Sequence, residues 1–426
     1  GRLLAVKNIR DPNQTPTVSY MINQMGRAYF KPNWKEMCND FMKDPIYFDK
    51  TKTEEWVDER TDAGKIYKEV YQLLTDDIGK KPISDLNLHL KLESLLKTNP
   101  ILQWRDQQAR TIVWQRKAVA ALFSHIFKEA KRRLKLLFTD KVLYSDGFTP
   151  EELSSRVRLV HNVKYFLEDD LEKQDRQTDK PIIDVEMAMY QMLGVHPIVI
   201  KIWQTVHEHW RLKAEFAKVK GVAMRHTGQA TTAVGNLLTN MQVHADFVVR
   251  NYNKVEFIMM LGDDNIMLLN ERVDVSKLTK EIKARFNMVA KAELNQWGGT
   301  FCCMVLYPLG DGTVGLGPDY VRLRHRFSVT NGVSANNPEN ITMRAMSYAM
   351  YLGPMPRVMD LVAKENWPIK PVQWYHDELL VLALQGKYGM NTEEIYDHLR
   401  KLLKALEERP AKDIQFTMYT SKPKHW

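Results

Sequence analysis

Two adjacent carboxylates, Asp263 and Asp264, follow Gly262 and precede Asn265 between the apolar runs Phe257–Leu261 and Ile266–Leu269. Short bounded apolar runs predict strands, and glycine allows the tight reversal of a hairpin between them. Like charges side by side repel, so one keeps its proton unless a cation neutralises the pair, and a divalent metal is the usual partner. An Asp-Asp turn alone says little, because Asp is a common turn former. A third carboxylate is therefore needed on a neighbouring strand upstream. The stretch Tyr165–Asp179 offers one: its apolar start predicts a strand, and Asp170 and Asp175 follow in the spacing D-x4-D. Asp169 competes with Asp170, but the same spacing counted from Asp169 ends on Gln174. Between these carboxylates and the turn comes Gly228, with Thr232 and Asn236 on one face of a predicted helix.

In order and spacing, D-x4-D, G-x3-T-x3-N and GDD resemble motifs A, B and C of the palm of viral RNA-dependent RNA polymerases. The basic stretch Ala109–Val119, running on into Ala121–Ser124, is similar to the motif F region of tobamovirus-like replicases. Phe286–Lys291 looks like motif D of the same group. The wording around Asp175, from Lys173 to Ala188, looks closest to endornaviruses and their relatives in the alphavirus-like supergroup. The resemblance covers about Lys91 to Val329.

The resemblance implies an α+β right-hand polymerase, with an antiparallel palm sheet flanked by helices. Its expected parts are fingers over 1–160, palm over 161–181, a helical fingers insertion over 182–221, palm again over 222–330 and a helical thumb over 331–426. The implied chemistry is template-directed nucleotidyl transfer at two Mg²⁺ ions, with Mn²⁺ as a substitute. Asp170 and Asp263 are the expected bridging ligands, with Asp264 in support. Asp175, Thr232 and Asn236 would read the 2′-hydroxyl of the incoming ribose. Gly228 would let its loop approach the template. Arg110, Arg116 and Lys117 would clamp the triphosphate, with Lys91 a weaker candidate. Lys291 matches the motif D lysine, a proton donor to leaving pyrophosphate. Val321–Val329 predicts a strand with Arg322, Arg324 and Arg326 on one basic face, where the family's motif E contacts the growing strand. The implied partners are RNA template and product, NTPs and other segments of a viral replicase polyprotein. The implied place is the host cytoplasm, at membrane-associated replication complexes reached through those other segments.

Composition agrees with such partners without requiring them. The chain has 426 residues, a net charge of +9 and a 44% hydrophobic share, ample for a sizeable core. Three cysteines, Cys38, Cys302 and Cys303, argue against a disulfide framework and for a reducing compartment. Cys302 and Cys303 fall in a strand-like run, which would point them to opposite faces. No apolar run approaches the ~20 residues that span a bilayer, and no signal peptide is visible. The start Gly-Arg rather than Met suggests a piece of a longer protein.

Along the chain, residues 1–100 show few periodicities and 112–138 predict one helix carrying the basic run Lys128–Lys135. Thr149-Pro150-Glu151-Glu152 predicts a helix start. Residues 182–219 predict helices broken at Gly194–Pro197, and 300–329 predict strands around a Gly-rich turn. From Pro338 the pattern is helical, with a capping pair Asn391 and Glu394. Two motifs are decoys. Gly310–Gly315 fits G-x-G-x-x-G but lacks a following helix, and His207 and His209 are two apart, the wrong spacing for a helical zinc pair. A reverse transcriptase and a non-catalytic RNA-binding scaffold stay open as alternatives. Asp175, Thr232 and Asn236 count against the first, and the full set of carboxylates counts against the second.

Overall fold

The computed structural model describes residues 11, 13–75, 83–90, 111–172, 174–214, 217–221, 223–328, 343, 347–348 and 377–407. Four helices come first: α1 (Val18–Tyr29), α2 (Trp34–Lys43), α3 (Lys50–Asp58) and α4 (Ala63–Thr75). Strands β1 (Asp85–Leu90) and β2 (Thr111–Gln115) precede the long helix α5 (Lys117–Leu137). Then come β3 (Val142–Tyr144), α6 (Pro150–Val157), β4 (Tyr165–Leu171), α7 (Gln174–Gln177), α8 (Lys180–Met192) and α9 (Pro197–Glu208). Strands β5 (Trp210–Ala214) and β6 (Ala217–Gly221) lead to α10 (Thr232–Arg250) and the hairpin β7 (Val255–Leu261) and β8 (Asp264–Leu269). The chain continues through α11 (Val275–Phe286), β9 (Ala290–Asn295), β10 (Gly299–Phe301), β11 (Met304–Leu309), β12 (Thr313–Pro318) and α12 (Tyr320–Ser328). Helices α13 (Asp377–Tyr388) and α14 (Thr392–Glu407) close the described part.

The organising element is a five-stranded sheet in the order β3-β7-β8-β4-β9. Its pairs are antiparallel except β3 with β7, which run parallel, so the expected all-antiparallel sheet is in fact mixed. One face, with Leu167, Leu171, Ile258, Met260, Met267 and Leu269, packs against helices that include α1, α5, α8 and α10. The other, with Phe166, Phe257, Met259, Ile266 and Leu268, packs on the three-stranded sheet β10-β11-β12 and on α6. Covering both faces explains why β7 reads Phe-Ile-Met-Met-Leu rather than alternating. A third core joins β11 to α12, α13 and α14. A small four-stranded sheet, β2-β1-β5-β6, has its own apolar cluster of Leu86, Val113, Trp210, Leu212 and Met224.

Local chemistry sets several boundaries as the residues predict. Thr149 and Glu152 form a reciprocal capping box with Pro150 at the first turn of α6. Asn391 and Glu394 exchange the same two bonds ahead of α14. Elsewhere tertiary pairing overrides the pattern. The helix expected over 112–138 starts only at Lys117, because Thr111–Gln115 pairs antiparallel with Leu86–Leu90. The helical reading of 182–219 ends at Glu208, since Trp210–Ala214 joins β1 and β6. Over 321–328 the expected strand is the helix α12, and Val329 lies outside the described residues. Asp319 accepts from the backbone N–H of Arg322 at 3.1 Å, and Tyr320, Leu323 and Phe327 bury one side at helical spacing. Cys302 and Cys303 form the two-residue turn between β10 and β11, both at positive φ (51° and 71°), instead of lying in a strand. No helix among the described residues is long and apolar enough to cross a membrane.

Candidate active site

Successive residues of β4 face opposite sides of the sheet. Asp169 turns with Leu167 and Leu171 toward the helical side. It is 5% exposed, and its Oδ2 meets Nε2 of His244 on α10. Asp170 turns with Phe166 and Glu168 to the other side and is exposed. Glu168 accepts two bonds from Thr300, so the base of β4 is fastened to β10. Three consecutive carboxylates thus have three surroundings, and Asp170 is the one left at an open edge.

Gly262 (φ +59°) and Asp263 make the two-residue turn that closes on the pair Leu261 and Asp264. Glycine first, at positive φ, is what such a hairpin needs. Asp264 alternates with Ile266 and Leu268, which belong to the side of Phe166, so it shares the face of Asp170. The β4–β8 ladder runs from Tyr165 with Leu269 to Glu168 with Ile266. Although the side chain is exposed, partial desolvation at the sheet edge first, and then the charge of Asp264, raises the carboxyl pKa of Asp170, while Lys291 pulls it down. Lys291 lies directly opposite Asp170 in the register of β4 and β9. The thiol of Cys302 donates to Asp264 Oδ2 at 3.1 Å, and burial together with that carboxylate pushes the thiol pKa up.

Among the described residues, no three carboxylate, imidazole or thiol groups stand close enough, as arranged, to hold a metal ion. The donor chemistry of the edge still suits a hard divalent cation. Asp170 and Asp264 offer oxygen ligands at one place, and their repulsion is what a cation would relieve.

The loop before α10 is held by a buried polar network. Glu186 on α8 and Arg225 form an ion pair with no exposure on either side chain, and Tyr190 donates to Glu186 Oε1 at 2.7 Å. Arg225 leaves no room beyond Gly235, where a Cβ would lie 1.9 Å from its Nη1. His207, Trp203, Gln229 and Thr231 continue the network below the loop. Gly228 makes a close approach, but to β2 rather than to open space. Its N–H donates to Val113 O at 2.8 Å, and a Cβ would lie 2.6 Å from Trp114 Cβ. The hydroxyl of Thr232 is occupied within the loop: it accepts from Gln229 N–H and donates to His226 O at 2.7 Å. Asn236 is 8% exposed one helical turn on, and its carbonyl accepts from Gln174 Nε2 at 2.8 Å. That bond ties α10 to α7, which carries Asp175. Glu186, Arg225, Asn240 and His244 were not anticipated. Glu186, Asn240 and His244 are polar residues at buried helical positions, and Arg225 lies in the loop before α10, so no local pattern marked any of them.

The basic candidates are dispersed. Arg110, like Lys91, lies outside the described residues. Arg116 pairs with Asp85 (3.5 Å) and Lys117 with Asp62 (2.6 Å), at the two sides of the β2–α5 junction. The run Lys128–Lys135 is largely a set of internal clamps, with Lys128 and Arg132 facing solvent. Lys131 and Lys135 hold Asp146, and buried Arg133 donates to the carbonyls of Phe41, Asp44 and Leu193. On α12 the three arginines cannot share a face as they would on a strand. Arg324 reaches His398 on α14 (3.0 Å), whereas Arg326 donates to Cys303 Sγ at 3.4 Å, beside the turn that touches Asp264. The Gly310–Gly315 decoy is the β11–β12 hairpin, and His207 is fully buried in the loop network.

Comparison with known proteins follows the same lines. Residues 4–334 match the family described as RNA dependent RNA polymerase. The replicase large subunit of Tobamovirus Ob is 26% identical over 237 residues, which is 54% of this chain and 14% of that protein. That of Sunn-hemp mosaic virus is 27% identical over 232 residues, 53% of this chain and 14% of that protein. The non-structural polyprotein pORF1 of hepatitis E virus genotype 2 (isolate Human/Mexico) is 22% identical over 258 residues, 60% and 15% respectively. The chain thus spans only 14–15% of the length of these curated relatives. With a match that runs through both carboxylate elements and the loop between them, this chain belongs to the RNA-dependent RNA polymerase family.

Proposed function

We propose that this chain copies an RNA template by transferring nucleotides from NTPs onto an RNA 3′ end, as the polymerase core of a positive-strand RNA virus replicase. The observation that carries the reading is the shared edge of Asp170 and Asp264, with Lys291 in register across from Asp170. Asp170, Asp263 and Asp264 are the residues that would hold Mg²⁺ or Mn²⁺. When bound, such a pair of ions lowers the pKa of the attacking 3′-hydroxyl and stabilises the charge that builds on the α-phosphate. Lys291, in register with Asp170, would donate a proton to the departing pyrophosphate. Asp175 and Asn236 would read the ribose, a reading supported by the bond from Gln174, the residue before Asp175, to the backbone of Asn236, with Thr232 shaping the loop before α10. A triphosphate would compete with Asp85 and Asp62 for Arg116 and Lys117, and Arg110 would complete that basic set. In this reading the five-stranded sheet is the palm, the preceding helices and four-stranded sheet belong to the fingers, and α13 and α14 belong to the thumb. Other replicase segments would be its partners at membrane-associated sites in the host cytoplasm.

The test is direct. The purified chain receives a homopolymeric RNA template, a short complementary primer, labelled NTPs and Mg²⁺ or Mn²⁺. Extension should depend on metal, and Asp263→Ala should lower it by at least ~100-fold, as expected when charge stabilisation in the transition state is lost. ATP should be preferred to dATP, and Asn236→Ala should narrow that preference roughly 5- to 30-fold, the worth of one hydrogen bond of ~1–2 kcal/mol. Wild-type preference for dATP would point to a reverse transcriptase. RNA binding without incorporation would point to a scaffold.

A further inference from the structure

The β4–β8 ladder ends at Glu168 with Ile266, two residues short of the carboxylates. Continued in register, it would set Asp170 opposite Asp264. Beyond that point β4 pairs only with β9, from Asp169 to Leu171, and β8 pairs only with β7. No backbone bond of that ladder therefore fixes the separation of the two carboxylate-bearing segments, and another element has to.

Helix α10 reaches both. Asn240 Nδ2 donates to Asp263 O at 2.9 Å and lies 3.4 Å from Gly262 O, gripping the hairpin turn from beneath. One helical turn on, His244 grips β4 through Asp169, the residue next to Asp170. His244 Nδ1 faces Asn240 O at 2.8 Å, and a carbonyl can only accept, so Nδ1 carries a proton. Through Nε2 the same imidazole meets Asp169 Oδ2, so one buried side chain bridges the α10 backbone and β4. Asn240 and His244 are each 1% exposed. Together with Thr232 and Asn236 they continue a polar stripe at four-residue intervals along a helix whose other buried positions include Leu237, Leu238, Met241 and Val248. A buried polar bridge of this kind is a poor source of stability, because apolar side chains of similar size serve as well or better. Its value here is the geometry it imposes.

We propose that α10 is a brace in which Asn240 and His244, acting on Asp263 and Asp169, set the separation of the two carboxylate elements and are positioning residues for nucleotidyl transfer. The inference rests on the polymerase reading above. His244→Asn keeps a donor toward Asn240 O but falls short of Asp169, His244→Gln restores the reach, and Asn240→Ala releases the turn.

The first readout is Mn²⁺ binding to the enzyme without RNA or NTP, followed by the paramagnetic resonance of free Mn²⁺. Asn240→Ala and His244→Asn should bind Mn²⁺ about 10-fold more weakly or worse, the usual effect of losing a group that orients metal ligands. His244→Gln should recover most of the affinity. The second readout is primer extension, where kcat should fall and half-activating Mg²⁺ should rise while the KM for NTP and the Kd for an RNA hairpin stay within about twofold. Thermal unfolding identifies any variant that fails to fold, and Asn240→Ala, which only trims a side chain, then carries the test. Wild-type Mn²⁺ affinity and kcat in folded Asn240→Ala and His244→Asn would overturn the brace and leave the polymerase reading standing. A wild-type chain that neither binds Mn²⁺ nor extends a primer would overturn that reading, and the brace with it.

Discussion

Asp170 carries a charge that the fold alone does not favour. Partial desolvation at the sheet edge and the neighbouring Asp264 raise its pKa, so folding disfavours its charged form relative to its neutral one. A carboxyl raised on folding gives its stability below the unfolded value and loses it as pH rises through the folded one. Asp170→Asn should therefore melt about 1–2 °C above the wild type at neutral pH without divalent metal. The gap should close as the pH drops into the carboxylate range. With saturating Mg²⁺ the order should reverse, because only the wild type gains from binding, and primer extension by the variant should be lost. Scanning calorimetry across pH, with and without Mg²⁺, checks all of this. A variant no more stable than wild type in chelator would mean the two carboxylates do not burden each other. The spacing that distinguishes Asp170 from Asp169 has a structural counterpart: the two face opposite sides of the sheet, with Asp169 against His244. The sequence pattern misread Cys302 as a strand residue, because its role as a turn residue donating to Asp264 depends on a hairpin that two cysteines do not announce.

Elements that hold the loop before α10 depend on one buried ion pair. Burial works to raise the pKa of Glu186, but the charge and hydrogen bonds of Arg225 prevail and hold it below the usual carboxylate range. A carboxylate depressed on folding contributes stability above its unfolded value and loses it as pH falls through the folded one. Glu186→Gln leaves the buried guanidinium without a charge partner, which costs about 3–5 kcal/mol. Urea unfolding at neutral pH should show that loss. The difference from wild type should shrink as the pH is lowered below the carboxylate range, where wild-type Glu186 is also neutral. A constant difference across pH would place the cost in packing instead. Nothing local in the sequence pairs Glu186 with Arg225, since 39 residues and three elements separate them. The Asp turn, the capping boxes and the β7–β8 hairpin were legible because their causes are local. The segment Val321–Phe327 was not, because Val321, Leu323 and Phe327 suit a strand while Tyr320, Leu323 and Phe327 suit a helix. The cap at Asp319, which also accepts from Lys387 and Tyr388, decides between them.

For the whole molecule, a net charge of +9 favours a polyanionic partner without locating it. Helix α12 gives a way to locate it. At 100° per residue, Arg322 and Arg326 lie within 40° of each other and Arg324 lies on the far side. Arg324 faces His398 on α14, while Arg326 reaches the Cys303 turn beside Asp264. If the product strand leaves the carboxylate edge along this turn, Arg322 and Arg326 meet phosphates and Arg324 does not. Each phosphate contact contributes about 0.9 to the slope of log affinity against log salt, through counterion release. Arg322→Glu and Arg326→Glu should each weaken binding of a primer–template RNA and lower that slope by roughly one. Arg324→Glu should change the slope little, whatever it costs in stability at the α12–α14 contact. The measurement is RNA affinity by fluorescence anisotropy from 50 to 300 mM salt for the three variants beside wild type, at matched fractions folded. Equal slopes for all three would place the RNA path elsewhere. A loss confined to Arg324→Glu would reverse the assigned faces and put the strand on the α14 side.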